Sequence, residues 1–372
     1  MEQRQIHVLQ VIHSMNMGGA ENMIMNLYRS IDREVIQFDF LVHSNEKGIF
    51  EDEIEKLGGK IYRAPYYKII NGRAYTHFLD NFFRQHSEIK IVHGHVGSCA
   101  HIYLKIAKKY GCFTIAHSHN ARPKISVRSI AYRFFTYRTR HVADYFMSCG
   151  QKAGEYRFGK KITKDIRRYH ILNNGIDTNK FVYNVQVRNR IRKELGIGDS
   201  ELLIGHIGRF QEQKNHKYLI GILKELVKYR NDVKLIMVGD GELRQKIENQ
   251  VKADKLSEHV IFAGIRNDVN DLLQGMDCFV FPSFYEGLPV TVIEAQASGL
   301  PCIISENVTK EVNITDLVTY LPIAKYNLPD WAAKIIKESR SQRRNTKEEI
   351  VNAGYDVEET ANWLQRFYVS KA

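Results

Sequence analysis

Residues 278–294 of the chain read CFVFPSFYEGLPVTVIE. The apolar run at 278–281 predicts a short buried strand, and a helix is predicted to open near Val290. Glu286 would then lie in the loop after the strand, where ligands bind in parallel α/β sheets, and Glu294 would lie inside the helix. The unpaired backbone N–H groups at the start of that helix favour a phosphate.

Glu294 lies too far along the predicted helix to cap its N-terminus. Its neighbours are apolar or small, as in a helix that packs on a core: Val292, Ile293, Ala295 and Ala297. Burying an unpaired carboxylate costs on the order of several kcal/mol, so we expect a hydroxyl or a cation as its partner. On spacing alone, Glu286 and Glu294 could equally be an exposed loop residue and a surface helix residue.

Two further motifs flank this segment, GIRND at 264–268 and AQASGLP at 295–301. Together they resemble the Glu-x7-Glu region of retaining GT-B glycosyltransferases of family four, the bacterial polysaccharide type. The resemblance runs from an N-terminal Gly-Gly loop to about residue 305. It implies an α/β architecture of two Rossmann-like, doubly wound domains with a cleft between them, the first binding the acceptor and the second the nucleotide sugar.

Strand-like apolar runs alternate with amphipathic segments, the pattern of parallel, doubly wound sheets. One series falls at 7–12, 38–42, 89–92, 113–116 and 145–148, and a second at 202–207, 233–238, 259–262, 278–281 and 301–304. We place the boundary at the turn 173–177, which gives an N-terminal domain of residues 1–175 and a C-terminal domain of residues 176–354. The resemblance implies that the last helix crosses back, which adds residues 355–372 to the first domain.

The composition is that of an ordinary globular protein, with 44% hydrophobic and 26% charged residues among 372. No apolar run approaches the roughly 20 residues that cross a bilayer, and the N-terminus lacks the long apolar core of a signal peptide. We therefore expect a cytoplasmic protein. Its five cysteines are odd in number and lie mostly in apolar runs, which favours small core residues over a disulfide frame or a zinc site.

Positive charge is concentrated in the first half of the chain. Residues 1–170 hold 27 basic and 15 acidic side chains, the remainder is balanced, and residues 100–170 alone hold 16 basic and 3 acidic side chains. Such a field suits an anionic partner: nucleic acid, an acidic membrane surface or a diphosphate. No nucleic-acid motif accompanies it, so we expect no nucleic-acid partner.

Residues 122–140 form the most unusual segment, rich in arginine and aromatic residues. Its apolar positions fall on one face of a helix, and Arg128, Tyr132 and Arg140 lie largely away from that face. The segment can be a core-packing helix with a solvated basic face, or a helix at the membrane, where each basic residue adds about 1 kcal/mol toward anionic lipid. An acceptor on a polyprenyl diphosphate would explain both the charge and a peripheral position on the inner face of the cell membrane.

Two loops after predicted strands suit phosphate groups. Gly18 and Gly19 let the backbone approach a ligand at a helix start, in a pattern that differs from the nicotinamide-binding fingerprint. In GRFQEQKN at 208–215, Arg209 and Lys214 can neutralise a pyrophosphate, or they can be two solvated loop cations. The resemblance favours a donor diphosphate facing both loops.

Histidines follow two strands of the first series, in VHGH at 92–95 and AHSH at 116–119. Clustered histidines raise a zinc site, but ligands must converge, and no nearby carboxylate or cysteine completes a set. The resemblance implies that one histidine contacts the transferred sugar; His119 matches best, and His117 stays open because both point to one face of a continued strand. The chain also lacks the Asp-x-Asp pair of the other major glycosyltransferase architecture, so we expect neither a metal nor a cofactor.

The site implied by the resemblance gathers these residues around the helix start after Pro289. Its catalytic residues are His119, Arg209, Lys214 and Glu286, and its donor-binding residues are Gly18, Gly19, Arg209, Lys214, Gly239, Arg266, Glu286, Gly287, Leu288, Val290, Thr291 and Glu294. In that pattern Glu286 holds sugar hydroxyls, Glu294 holds the ribose, and the backbone near Arg266 meets the base. For Gly239, a purely structural tight turn explains the residue equally well.

We therefore predict retaining transfer of a hexose-type sugar from a nucleotide diphosphate sugar, UDP rather than GDP, to a glycan or a polyprenyl-diphosphate-linked acceptor in cell-surface polysaccharide synthesis. A GT-B epimerase or hydrolase would use the same donor site without an acceptor. A basic membrane- or nucleic-acid-binding protein with a vestigial sugar site is the alternative of another class.

Overall fold

The computed structural model describes residues 5–16, 18–119 and 136–372. The chain divides into two compact units, Met1–Ile176 with Gly354–Ala372, and Asp177–Ala353. The chain passes from one unit to the other twice, after Ile176 and after Ala353. Each position lies within one residue of the boundary expected from the sequence. Each unit is an α/β fold built on one parallel sheet.

The first unit has a seven-stranded sheet of order β3-β2-β1-β4-β5-β6-β7, paired in parallel throughout. Its strands are β1 (Ile6–Ile12), β2 (Ile36–Val42), β3 (Ile61–Arg63), β4 (Ile89–Gly94), β5 (Phe113–Ser118), β6 (Tyr145–Ser148) and β7 (Tyr169–Ile171). Its helices within the described residues are Gly19–Ser30, Glu51–Lys56, Gly72–Gln85, Ala100–Lys109, a turn at 136–139, Gln151–Phe158, Lys160–Thr163 and Val357–Val369. The apolar runs predict five of these strands, and the three-residue strands β3 and β7 are too short to show a pattern.

The second unit has a six-stranded parallel sheet of order β10-β9-β8-β11-β12-β13. Its strands are β8 (Leu202–Ile207), β9 (Val233–Val238), β10 (Val260–Gly264), β11 (Cys278–Phe281), β12 (Cys302–Ser305) and β13 (Val318–Leu321). Its helices are Thr178–Phe181, Val185–Glu194, His216–Tyr229, Arg244–Ala253, Val269–Gly275, Val290–Ala297, Leu328–Glu338 and Lys347–Asn352. All but β13 correspond to predicted strands.

Both sheets reverse their strand order between two neighbouring strands, β1 and β4 in the first unit and β8 and β11 in the second. Ligands of doubly wound folds bind beyond the carboxyl ends of the strands at such a reversal. The loops that follow these four strands begin at residues 13, 95, 208 and 282. Most of the predicted site residues lie in or beside these loops.

Apolar side chains cover both faces of the first sheet, with Val8 and Phe38 in one buried cluster and Leu9 and Val92 in the other. The helix Val357–Val369 packs on the first of these faces, where Ala361, Leu364 and Tyr368 are buried. Trp363 of the same helix stacks on His170 with ring centroids 3.7 Å apart. The last helix therefore belongs to the first unit, as the resemblance implies.

A second, separate core fills the other unit around the buried Trp331, whose indole N–H donates to the carbonyl of Pro322 at 2.8 Å. All five cysteines of the chain are buried, as expected for small core residues. Among the helices within the described residues, none has the length and apolar character that crossing a bilayer requires.

Candidate active site

The loops after β8 and β11 are fastened to each other by hydrogen bonds. The side-chain amide of Asn215 donates to the carbonyl of Pro282 at 3.1 Å, and the backbone N–H of Phe284 donates to the carbonyl of Gln213 at 2.9 Å. Asn215 has a left-handed backbone with φ of 57°, a conformation that asparagine tolerates better than most residues. These contacts bring Lys214 and Glu286 together, although 72 positions separate them in the chain.

Lys214 and Glu286 form an ion pair across the strand-order reversal. The Nζ atom of Lys214 lies 2.8 Å from Oε1 of Glu286, and the two side chains are 15% and 9% exposed. The ammonium group also lies 4.6 Å from the centroid of the Phe281 ring, a cation–π distance. The ion pair holds the Lys214 ammonium group in a fixed position beside the predicted phosphate site. An anionic ligand could therefore bind it without a change of side-chain conformation.

The helix Val290–Ala297 begins directly after Pro289, as the sequence predicts, and carries Glu294. Within the residues that the structure describes, the Glu294 carboxylate has neither a hydrogen bond nor an ion pair, and burial raises its pKa to about 7. The hydroxyl groups of Thr291 and Ser283 are also buried without a partner in the described chain. Buried polar groups are normally satisfied, so these two unpartnered hydroxyl groups beside one helix start, together with the Glu294 carboxylate, indicate a site for a polar ligand. We call the loops 208–215 and 282–289 with the helix Val290–Ala297 the charged edge.

Gly239 of the second unit serves close backbone packing. Gly239, after β9, has φ of +131°, and a Cβ there would collide with the carbonyl oxygen of Gly208. Its N–H donates to the carbonyl of Gly264 at 2.7 Å, which ties the loops after β8, β9 and β10 together. This structural role accounts for Gly239, and its contact with a donor stays a prediction.

The remaining predicted donor residues differ in how freely they meet solvent. The Arg209 side chain is 70% exposed and lies 3.6 Å from Glu242, whereas Arg266 is engaged by both Asp268 and Glu194. A Cβ at Gly287 would meet no atom within 4 Å. Leu288, Val290 and Thr291 are partly exposed at the start of the helix. Arg209 is thus available to a ligand, while the Arg266 side chain already has protein partners.

Two buried histidines next to the charged edge were not identified from the sequence. The rings of His206, on β8, and His216 are 4.9 Å apart, and burial followed by the charge of Lys214 lowers the pKa of His216 to about 4. Burial likewise places the pKa of His206 well below its usual value. Nε2 of His206 and both ring nitrogens of His216 lack partners within the described residues. The signal for them was their position on either side of the loop that carries Arg209 and Lys214.

In the first unit, the helix Gly19–Ser30 begins at the predicted Gly-Gly loop. A Cβ at Gly18 would collide with the carboxylate of Glu21, whereas a Cβ at Gly19 would meet no atom within 4 Å. Burial raises the pKa of Glu21 above its ordinary value. The clash at Gly18 involves only the end of a flexible side chain, and Gly19 borders open space beside the first turn of the helix, so ligand contact by these glycines stays a prediction.

Four histidines lie side by side where β4 and β5 end. His93 contacts His117 at 3.0 Å, His95 contacts His119 at 2.8 Å, and the rings of His117 and His119 stack 4.2 Å apart. The sequence leaves open which of His117 and His119 meets a sugar, and the structure places both on one face. We call these four residues, with Gln10 of β1, the histidine edge.

The histidines converge more closely than the sequence indicates. Ligand atoms of His93, His95 and His117 all lie within 4.8 Å of one another, so this trio could hold a metal ion. Nitrogen atoms of the trio are, however, paired with Tyr368, Gln10 or another imidazole. The expectation of a metal-free protein stays a prediction.

Most of the basic segment 122–140 lies outside the described residues, including Arg128 and Tyr132. At its end, the guanidinium of Arg140 donates to the carbonyl of Arg157 at 3.1 Å and lies 4.9 Å from the ring of Tyr137. Arg140 is thus anchored to the protein by a backbone carbonyl, and the basic face of the segment stays a prediction.

Comparison with known proteins relates the chain to sugar-transferring enzymes. Residues 187–357 match the model of the family "Glycosyl transferases group 1". EpsF of Bacillus subtilis (strain 168), which carries the name glycosyltransferase, is 34% identical over 99% of this chain and 97% of its own length. A UDP-Gal:alpha-D-GlcNAc-diphosphoundecaprenol alpha-1,3-galactosyltransferase of Escherichia coli is 32% identical over 39% of this chain and 38% of its own length.

The fold has solved counterparts as well. The crystal structure of Anabaena HepE in complex with UDP and glucose matches with a TM-score of 0.78 and 16% identity, covering 98% of this chain and 99% of HepE. At this identity the similarity concerns the fold. The predicted α/β class with two Rossmann-like domains of GT-B type is confirmed.

Proposed function

The chain belongs to the group 1 glycosyl transferases, and on that premise we propose that it transfers a hexose-type sugar from a UDP-sugar to a glycan or lipid-linked acceptor, with retention at the anomeric carbon. Support for the donor comes from the UDP-Gal in the name of the E. coli relative and from the UDP and glucose bound to HepE. The diphosphoundecaprenol in the same relative's name supports a polyprenyl-diphosphate-linked acceptor. We infer that the product enters a cell-surface polysaccharide.

The observation that carries the proposal is the set of charged and polar groups at the charged edge that a nucleotide sugar could bind. A donor diphosphate would take the ammonium of Lys214 and leave the carboxylate of Glu286, 2.8 Å away, for sugar hydroxyls. Ribose hydroxyls would give Glu294 the partner that the described residues do not supply. The N-terminus of the helix Val290–Ala297 and the exposed Arg209 would add positive potential around the phosphates.

The chemistry follows from where negative charge develops. As the sugar–phosphate bond breaks, the leaving diphosphate gains charge, which Lys214, Arg209 and the helix N-terminus would stabilise. We propose that the acceptor hydroxyl attacks from the same face and passes its proton to the leaving diphosphate, with no covalent intermediate on the enzyme. No metal ion is needed in this scheme because the protein itself supplies the positive charge.

We further propose that the first unit meets an anionic membrane surface. Lys160 and Lys161 are exposed on the helix Lys160–Thr163, Lys164 is exposed after it, and the nearby Ile166 is 88% exposed. Cations around an apolar side chain suit a surface of anionic lipid. A lipid-linked acceptor would be reached from that surface.

A thermal-shift screen with UDP, GDP and ADP in EDTA tests the donor site. Of the three nucleotides, we expect only UDP to raise the melting temperature, by a few degrees, because a ligand that binds only the folded state stabilises it. The gain should vanish in Arg209→Ala and Glu294→Gln and persist in Glu258→Gln, an exposed glutamate just before β10. Stabilisation by GDP or ADP instead would contradict the donor, and a shift that appears only with magnesium would contradict metal independence.

One enzymatic alternative uses the same donor site without an acceptor. An epimerase or hydrolase would turn over UDP-sugar alone at full rate, whereas a transferase should hydrolyse it slowly. Following UDP release with and without a lipid-linked glycan acceptor separates the two. Release that an acceptor does not accelerate would contradict transfer.

A further inference from the structure

One hydrogen-bonded arm of the histidine edge runs from the last helix to β5. The hydroxyl of Tyr368 lies 2.6 Å from Nδ1 of His93, and Nε2 of His93 lies 3.0 Å from Nδ1 of His117. Nε2 of His117 is buried and has no partner in the described chain. The arm therefore ends on one unsatisfied ring nitrogen.

A second arm runs from β1 to the end of β5. Oε1 of Gln10 lies 2.9 Å from Nε2 of His95, and Nδ1 of His95 lies 2.8 Å from Nε2 of His119. Nδ1 of His119 is likewise buried without a partner within the described residues. Two arms thus end on two orphaned nitrogens whose rings stack 4.2 Å apart.

Proton counting fixes the direction of the second arm. The imidazoles are neutral near pH 7, since burial lowers the pKa of His119 to about 3 and that of His95 well below its usual value. A neutral ring has one N–H and one bare nitrogen. The amide oxygen of Gln10 only accepts, so His95 carries its proton on Nε2, its bare Nδ1 accepts from Nε2–H of His119, and Nδ1 of His119 is left as an acceptor.

The first arm runs the opposite way. His93 is also neutral, because burial lowers its pKa to about 3, and the Tyr368 hydroxyl has one proton to donate to its Nδ1. Nε2–H of His93 then donates to Nδ1 of His117, whose remaining proton lies on Nε2. Gln10 also acts on the first arm: burial raises the pKa of Tyr368, and the nearby Gln10 side chain lowers it.

We propose that Gln10 and Tyr368 are positioning residues that hold all four imidazoles as Nε2–H tautomers, so that His117 offers a buried N–H donor beside the bare acceptor nitrogen of His119. A hydroxyl group accepts one hydrogen bond and donates another, so an alcohol matches this pair. Phosphate oxygens, which only accept, match it less well. That the alcohol is a hydroxyl of the transferred sugar rests on the proposed function, whereas the tautomers do not.

Nitrogen-15 NMR of the full chain labelled at histidine tests the tautomers directly. Nδ1 and Nε2 shifts distinguish a bare from a protonated nitrogen, and single His→Gln variants assign the four signals. We expect four Nε2–H rings in the wild-type protein. A wild-type ring of the edge with its proton on Nδ1, or a stoichiometric zinc ion by elemental analysis, would overturn the proposal.

The Gln10→Glu variant separates this account from a merely structural role. A carboxylate can accept hydrogen bonds both from Nε2–H of His95 and from the hydroxyl of Tyr368. His95 therefore keeps its proton on Nε2, but Tyr368 now donates to the carboxylate and no longer to Nδ1 of His93. His93 and His117 should then switch to Nδ1–H, while His95 and His119 keep their tautomers and the signal of His206 in the other unit stays unchanged. Four unchanged tautomers in a folded Gln10→Glu protein would overturn the proposal.

Tyr368→Phe is the second variant, should Gln10→Glu fail to fold. Without the phenol, His93 and His117 should lose their single tautomer and give averaged shifts, whereas His95 and His119 should not change. Averaged shifts for the histidines of both arms, or for those of neither arm, would contradict the assignment.

Adding UDP-glucose tests the ligand class. Hydrogen bonding by a hydroxyl should move the bare Nδ1 of His119 upfield, a change that UDP alone should not produce. UDP-glucose that binds by calorimetry without moving this nitrogen would overturn the hydroxyl pair. Absence of any UDP-glucose binding would contradict the proposed function and leave the tautomer result standing.

Discussion

The charged edge and the histidine edge both lie at the carboxyl ends of parallel strands, yet their chemistry differs. The charged edge follows β8 and β11, which flank the reversal of strand order in their sheet, whereas the histidines lie at the ends of β4, which flanks the other reversal, and of its neighbour β5. The first holds the half-buried pair Lys214–Glu286 and the unpartnered carboxylate of Glu294. The second holds neutral imidazoles that bond to one another and to Gln10. The same topology thus provides a charged surface suited to a diphosphate and a neutral, directional one suited to hydroxyl groups.

The largest effect is expected where the charged edge loses its cation. Lys214→Ala should lower kcat about 100- to 1000-fold, since a preorganised donor to a developing negative charge contributes roughly 3–4 kcal/mol. Lys217→Ala removes an equal charge from an exposed position three residues along and should change little. Steady-state UDP release with both variants measures the difference. Equal rates for Lys214→Ala and the wild type would mean that the charge at this edge does not act in the reaction.

Alanine substitutions at Gly239 and Gly19 distinguish a glycine needed for packing from a glycine predicted to contact the ligand. Gly239→Ala should destabilise the second unit by about 3 kcal/mol, because φ of +131° is strained for alanine and the Cβ collides with Gly208. Gly19→Ala meets no protein atom and should leave unfolding unchanged while weakening ligand binding. Urea unfolding with UDP-sugar calorimetry compares them. A strongly destabilised Gly19→Ala would assign that glycine to packing as well.

The unpartnered carboxylate makes stability depend on pH. The pKa of Glu294 rises from an ordinary 4.5 to about 7 in the folded protein, so the folded state binds more protons between these values. The wild type should therefore lose roughly 2–3 kcal/mol as pH rises through this window. Glu294→Gln should remove that loss, so its advantage over the wild type appears at pH 8 and not at pH 4.5. An advantage of equal size at both pH values would show that the carboxyl is not held neutral.

The smallest effect concerns the basic surface of the first unit. Replacing Lys160 and Lys161 by alanine should weaken binding to anionic vesicles by about 2 kcal/mol, roughly 30-fold. The paired change Lys246→Ala with Lys252→Ala removes the same charge from the second unit and should have less effect. Vesicle sedimentation at low and at physiological salt provides the measurement. Equal weakening by both pairs would mean that total charge, not this surface, decides binding.

The sequence predicts the charged edge better than the histidine edge for a physical reason. Lys214, Glu286 and Glu294 follow fully buried apolar strands in recognisable motifs, and strand topology brings such loops together. Their pairing at 2.8 Å adds what spacing could not show, that the two charges already neutralise each other. The strands β3 and β7 were missed because three residues carry too little periodicity, and β13 was missed because its four residues are partly exposed and form no buried apolar run.

The arrangement of the histidine edge depends on contacts between distant parts of the chain. Tyr368 reaches His93 across 275 positions, because the last helix packs on the first sheet. Gln10 lies in an apolar strand with nothing in its neighbourhood to single it out. The motifs could name His117 and His119 but not the residues that orient them.

Calorimetric titration of UDP and of UDP-glucose, in EDTA, into Glu286→Gln and the wild type tests the central claim most directly. If Glu286 holds sugar hydroxyls and restrains Lys214, the variant should bind UDP as tightly as the wild type or more tightly, and should lose the added affinity for UDP-glucose. Equal weakening of both ligands, or of neither, would contradict the division of the donor between Lys214 and Glu286.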